Sequence, residues 1–241
     1  MSKVVWVLAG GYGCLFIWLF LFKLSYKSMH IKNKITLFMS SVFGLPASYS
    51  YSIFATLLYC LLPILSSLAV SRLGGVYIPG LFAAPLSLAL IAITVLGVAA
   101  CMSLLAVFVL ITQKIRPSIQ IAAEMANIKW IQGVFQAPAK IAWLLPLLSA
   151  SFEEIFFRGV FFSALMLSGA DPLLALGAVT FAFILNQTLL ADTITQRVIM
   201  VFSSIAISVV GGVLFLASGS IIPSIIMHAS FAGFYTSGSR F

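Results

Sequence analysis

Long stretches of apolar residues that no charge interrupts, separated by short basic segments, constrain this chain more than any other feature. A helix needs roughly 20 apolar residues to cross the hydrocarbon core of a bilayer. By that rule seven segments qualify, at residues 4–22, 49–70, 81–111, 141–167, 172–191, 198–216 and 221–235. Inside lipid every backbone amide needs an internal partner, so only helix bundles and closed barrels span. The runs do not alternate as barrel strands must. The expected fold is all-α, a polytopic transmembrane helical bundle of about seven spans. Composition agrees: 62% of residues are hydrophobic and 7% are charged, against about a quarter charged in a soluble domain.

The charges that exist set topology. Positive-inside bias is counted in Lys and Arg near span ends. Lys23, Lys27, Lys32 and Lys34 follow the first span, which places that loop in the cytoplasm and the N-terminus outside. Alternation then puts Lys114, Arg116, Lys129, Lys140, Arg197 and Arg240 on the cytoplasmic side and leaves Lys3 and Arg72 outside. The expected location is the bacterial inner membrane. The apolar stretch after Lys3, about 19 residues, is too long for a cleavable signal core and reads as a retained first helix.

The net charge of +8 does not imply nucleic acid, because no basic stripe with interleaved aromatics accompanies it. Cys14, Cys60 and Cys101 are odd in number, far apart and each inside an apolar run. Neither a disulfide framework nor a CxxC metal spacing is present. Residues 35–47, ending in Gly44-Leu45-Pro46, read as an interfacial or re-entrant piece. Residues 112–140 mix Lys114, Arg116, Glu124, Lys129 and Lys140 with Ile, Ala and Trp. That composition fits an amphipathic helix on an anionic leaflet and equally a solvated connecting loop. Pro85 and Pro146 mark places where the third and fourth spans could kink. The chain divides into residues 1–140, N-terminal helices with this basic segment, and residues 141–241, within one integrated membrane domain.

Three ionisable residues fall inside a span, in Ser151-Phe152-Glu153-Glu154-Ile155-Phe156-Phe157-Arg158-Gly159. Each adds on the order of 3 kcal/mol to the work of insertion, and such groups mark functional sites. Residues four apart share a helix face, so Glu154 can pair with Arg158, while Glu153 points about 100° away. A carboxylate without a counter-ion in a water-accessible, low-dielectric cavity suits general-base work near neutrality. Spacing thus casts Glu153 as the base, with Glu154 and Arg158 as its scaffold. The bland reading is a buried polar network that only fixes helix packing. His228 should face the bundle interior, because an imidazole against lipid is costly. Asn186 and Gln187 add two amides from a third span; for Gln187, plain interhelical hydrogen bonding is the preferred role. Depth reckoned at 1.5 Å per residue places Glu153 and Asn186 near mid-bilayer and His228 closer to the outer face. A metal site of Glu153, Glu154 and His228 lacks the spacing of zinc motifs, and no cofactor is implied. A proton or ion relay through the same residues would suit a transporter, but no inverted repeat accompanies it.

At these residues the chain resembles the CAAX protease and bacteriocin-processing family, also called Abi proteins, of intramembrane glutamic proteases. Glu153, Glu154 and Arg158 match its Glu-Glu-x-x-x-Arg motif. The run from Gly211-Gly212 through Ser218-Gly219-Ser220 to Pro223 and His228 is similar to its third motif. The likeness covers about residues 141–235. Two positions depart from the pattern: Asn186 stands where the second motif has His, and Ala232 where the third has Asn. The resemblance implies a membrane-embedded endopeptidase in which Glu153 activates water and His228 serves as oxyanion donor. Its partners would be membrane lipids and a protein or peptide substrate entering from the membrane. The two departures leave open a catalytically inactive member acting as a subunit or partner-binding scaffold in a membrane complex.

Overall fold

The computed structural model describes residues 2–237, and among them every regular element is helical. In chain order these are α1 (Lys3–Lys27), α2 (Met29–Phe43), α3 (Ala47–Gly74), a 3-10 turn (Ile78–Phe82), α4 (Leu88–Ile115) and three short helices, α5 (Ile121–Ala126), α6 (Lys129–Gln136) and α7 (Ala139–Ala142). Then follow α8 (Leu144–Glu154), a π-helical stretch (Ile155–Phe162) and α9 (Ser163–Leu167), which form one continuous rod. The chain continues through α10 (Pro172–Thr188), α11 (Ile194–Ser218) and α12 (Ile222–Ser237).

Helices α1, α3, α4 and α11 are long and apolar enough to cross a membrane. Helices α10 and α12 are apolar but shorter, and the rod from α8 to α9 supplies the other expected segment. The arrangement is compatible with seven crossings, and the protein is an integral membrane protein. Element ends also fall into two groups. Lys3 Nζ donates to the Gly74 carbonyl at 3.4 Å, and Ile221 N donates to the Leu81 carbonyl at 2.8 Å. At the opposite ends of neighbouring helices, Lys129 pairs with Asp192 at 3.0 Å.

The rod sits at the centre. A helix that is apolar on all faces must be buried on all faces, and Phe156, Phe157, Val160, Phe161 and Phe162 are each at most 1% exposed. Lipid tails are as apolar as these side chains, so the bundle is held by close packing rather than by expulsion of water. Tyr12, in α1, donates its hydroxyl to the Ala178 carbonyl of α10 at 2.7 Å, and its ring meets Phe161 edge-on. Tyr51, in α3, donates to the Ser25 carbonyl of α1 at 2.8 Å. Gly74 lets α3 touch α9: a Cβ there would overlap the side chain and Cα of Ala164. The exposed apolar residues of α4, among them Val95, Leu96, Leu110 and Ile111, form a lipid-facing surface.

Several local expectations change. Residues 35–47 lie mostly in α2, a short helix and not a span, which stops at Gly44, whose φ of 64° closes it with a left-handed cap. Its 15 residues are too few for a core of about 30 Å at 1.5 Å per residue. Residues 112–140 are neither one amphipathic helix nor a plain loop, since α4 runs on to Ile115 and α5, α6 and α7 follow. Pro85 kinks nothing, because it precedes α4, whose N-cap is Ser87. Pro146 lies in the first turn of α8, where a missing N–H goes unnoticed. The irregularity in the fourth span is instead the π stretch beyond Glu154. The three cysteines are unpaired thiols.

Replacing Gly74 by Ala is expected to lower stability by about 1–3 kcal/mol through overpacking against Ala164. Gly177→Ala, where a Cβ meets nothing within 4 Å, should be neutral or stabilising. Thermal unfolding of the purified protein in detergent checks both.

Candidate active site

Glu153 and Glu154 close α8 at the point where the rod turns π-helical, and Arg158 lies within the π stretch. The wider turn there carries i→i+5 bonds, and such turns recur at functional sites. All three side chains are at most 4% exposed. Arg158 Nη1 lies 3.0 Å from Glu154 Oε1, the pairing that the sequence spacing suggests. The guanidinium also stands over the Phe183 ring, 4.4 Å from its centroid. The ion pair is a charge contact rather than an aligned hydrogen bond. Neither the Arg158 nitrogens nor Glu154 Oε2 finds a hydrogen-bond partner among the described residues.

His228, on α12, reaches both carboxylates. Its Nδ1 is 2.8 Å from Glu154 Oε1 and its Nε2 is 3.7 Å from Glu153 Oε2. The sequence-based depth, nearer the outer face, is therefore corrected: the imidazole lies level with the carboxylates. Helix α12 is drawn in by Ser224, whose hydroxyl donates to the Gly211 carbonyl of α11 at 2.8 Å. Gly211 itself leaves room for the pair, since a Cβ there would lie 3.4 Å from Glu154 Oε2. Glu154 thus serves two cations at once, Arg158 from its own rod and the His228 ring when that ring is protonated.

Glu153 is not the isolated carboxylate that spacing suggests. Asn186 Nδ2 donates to its Oε1 at 2.8 Å and Gln187 Nε2 at 2.7 Å. The Tyr59 hydroxyl, from α3, donates to the same oxygen, and Asn186 Nδ2 also reaches the Tyr59 oxygen at 2.8 Å. One carboxylate oxygen accordingly takes three donors, while Oε2 carries none of them and turns toward His228. Gln187 makes the interhelical hydrogen bond expected of it, from α10 to Glu153 on the central rod. Tyr59 comes from the part of the chain in which the sequence shows no motif. A lone Tyr in an apolar run, 94 residues from its partner, offers no signal that sequence spacing could have caught.

Glu153 and His228 line a cavity of about 100 Å³, roofed by Met125, Trp130, Ile131 and Val134 of α5 and α6. Phe22, Ala55, Leu145, Ile207 and Phe231 add apolar wall, and Ser203 and Ser204 add hydroxyls. The cavity has room for water, and Tyr59, Glu153, Gln187, Ser203, Ser204 and His228 put polar side chains on its otherwise apolar wall. The basic segment that follows α4 is thus the cover of the cavity. It is fastened to the α10–α11 connection by the Lys129–Asp192 pair and by Gln196 Nε2, which donates to the Glu124 carbonyl at 3.3 Å. Glu153, Glu154 and His228 converge, yet no cluster of three or more His, Cys, Asp or Glu side chains suited to a metal ion occurs among the described residues. All five residues singled out in the sequence, Glu153, Glu154, Arg158, Asn186 and His228, meet here. Ala232 lines the same cavity.

The protein is an all-helical membrane bundle with a buried Glu-Glu-Arg-His constellation beside a cavity of about 100 Å³. Residues 135–234 match the family described as Rce1-like, type II CAAX prenyl endopeptidase. The matched stretch runs from the end of α6 into α12 and carries every site residue except Tyr59. The family likeness read from Glu153, Glu154, Arg158 and His228 thus holds over that stretch. No curated protein and no solved structure matches the chain.

Arg158→Met leaves Glu154 with a single partner in a buried site, and stability should fall by about 3–5 kcal/mol. The double variant Glu154→Gln with Arg158→Met should recover much of that loss. Unfolding midpoints of the three proteins in detergent decide the point.

Proposed function

We propose that the protein is an intramembrane endopeptidase in which Glu153 activates water for hydrolysis of a peptide bond. The observation that carries this reading is the asymmetry of Glu153: three donors hold Oε1, while Oε2 turns toward His228 at the cavity wall. A fixed oxygen and a proton-accepting one make a positioned general base. Oε2 takes a proton from water as the water oxygen bonds to the carbonyl carbon, and the carbonyl π pair moves onto its oxygen. His228, when protonated and held at Nδ1 by Glu154, presents Nε2–H to that oxyanion. Collapse then breaks the C–N bond as the proton held by Glu153 passes to the departing nitrogen. The products are a carboxylic acid and an amine, and Glu153 is again ionised.

Substrates are protein or peptide segments that enter from the membrane. The family description points to C-terminal motifs of prenylated proteins, and secreted peptide precursors are the other class to which the resemblance leads. The apolar cavity walls suit a peptide with apolar side chains. Basic residues cluster at the cover: Lys129 pairs there with Asp192, Lys140 lies in α7, and Arg197 follows Asp192 at the start of α11. By the positive-inside rule the cover faces the cytoplasm and the N-terminus lies outside, in a bacterial inner membrane. Residues 1–140 and 141–241 act as one unit, with the first part supplying the cover and Tyr59.

A second reading rests on Asn186 and Ala232, which replace a proton-exchanging His and a donating Asn of the family motifs. In it the fold is retained as a non-catalytic subunit that holds a peptide or a partner helix. The two readings separate on one substitution. Glu153→Gln should abolish Glu153-dependent protein termini in membranes of expressing cells, with a rate loss of about 10²–10⁴. Profiles of N- and C-terminal peptides that are identical for both forms, at equal expression and in the same complex, would establish the binding role instead.

A further inference from the structure

We infer that Tyr59, outside the family-matched stretch, is the positioning residue that orients the Glu153 carboxylate for proton transfer. The inference deepens the proposed peptidase reading and rests on it for its kinetic part. Of the three groups that donate to Glu153 Oε1, Asn186 and Gln187 are amides from one helix, α10. Amides neither gain nor lose a proton in this range, so they can hold the carboxylate but cannot adjust to its charge. Tyr59 donates from the other side of the bundle, and its hydroxyl oxygen accepts in turn from Asn186 Nδ2. Tyr59, Asn186 and Glu153 Oε1 close a ring of hydrogen bonds, and Gln187 adds a further donor to the same oxygen. Only the phenol in that ring can shift its proton along the bond as Glu153 gains and loses charge at Oε2.

The phenol is held in place. Its ring is clamped edge-on by Trp18 and Phe22 of α1, at centroid distances of 5.1 Å and 4.9 Å, and the residue is 8% exposed. Were the role only packing, Phe would fill the same space without burying a hydroxyl. The hydroxyl instead sets the carboxylate plane, so that Oε2 stays toward His228 Nε2 and the cavity. The titratable and charged groups that face Glu153 are Tyr59 and Cys60 on α3, Glu154 and Arg158 on its own rod, and His228 on α12. Among these, Tyr59 alone donates to the oxygen that does not face His228. The N-terminal helices thereby take a direct part in the site, where the family-matched stretch alone would leave Glu153 Oε1 tied to α10 only.

The test uses the full chain in proteoliposomes and a readout that does not require activity. Infrared difference spectra against Glu153→Gln isolate the Glu153 carboxylate band in the wild type and in Tyr59→Phe. Replacing Tyr59 by 3-fluorotyrosine keeps its shape while changing the acidity of the hydroxyl, and so answers the question if the Phe variant folds poorly. Orientation by Tyr59 predicts a displaced Glu153 band in both substituted proteins. On a cleaved peptide, kcat of Tyr59→Phe should fall by about 10- to 100-fold, the worth of one hydrogen bond to a charged group. KM should stay within about twofold, as for an interaction felt in the transition state. An unmoved band overturns the inference whatever the activity, and so does a displaced band with unchanged kcat. If the wild type cleaves nothing and the band moves, the peptidase reading fails and the positioning of Glu153 by Tyr59 stands.

Discussion

Three ionisable side chains at the core of a lipid-facing bundle require that neighbouring elements turn polar groups toward them. A buried charge that loses its partner is strongly destabilising, and lipid offers no water in compensation. Glu154 meets this requirement with Arg158 in its own rod and with His228 from α12. Glu153 meets it with donors from α3 and α10. The placement of α3, α10 and α12 around the rod therefore follows from two carboxylates as much as from apolar packing. Removing these charges would leave a bundle with little reason to adopt this arrangement over others of similar packing.

The same economy divides labour between the adjacent carboxylates. Successive residues on a helix point in different directions, so Glu153 and Glu154 cannot share one environment. Glu154 faces Arg158, His228 and the close approach of Gly211, a site closed to solvent. Glu153 faces a cavity whose walls are mostly apolar and whose cover is pinned at its rim by Lys129–Asp192 and Gln196–Glu124 contacts. A surface ion pair of this kind contributes at most about 1 kcal/mol, so the cover is held mainly by burial of Ile121, Met125, Ile128 and Ile131 against Ala191, Ile199 and Met200.

Where sequence reasoning fell short, the cause was distance along the chain or a local departure from α-helical geometry. The Glu154–Arg158 pairing followed from four-residue spacing even though the π stretch begins between them. The interhelical hydrogen bond expected of Gln187 forms, but an amide in a span has many possible partners, and only the crossing of α10 with the rod selects Glu153. The basic segment at residues 112–140 has a composition that fits two fates, and packing over the cavity made it a cover of short helices. Residues 35–47 lacked a visible helix start, since the Ser28 cap lies inside the basic loop.

By itself the sequence determined that this is an all-helical membrane protein, singled out Glu153, Glu154, Arg158, Asn186 and His228 as candidate site residues, and showed that residues 141–235 resemble intramembrane glutamic proteases. Those conclusions rest on local properties: the length of apolar runs, the rarity of charge within them and spacing on one helix. Only the tertiary structure decided that His228 bridges both carboxylates, that Gln187 and Tyr59 share an oxygen of Glu153, and that α5 and α6 cover the cavity. Those are contacts between helices distant in the chain, and they depend on crossing geometry and register, which apolar periodicity leaves open because many packings bury the same faces equally well.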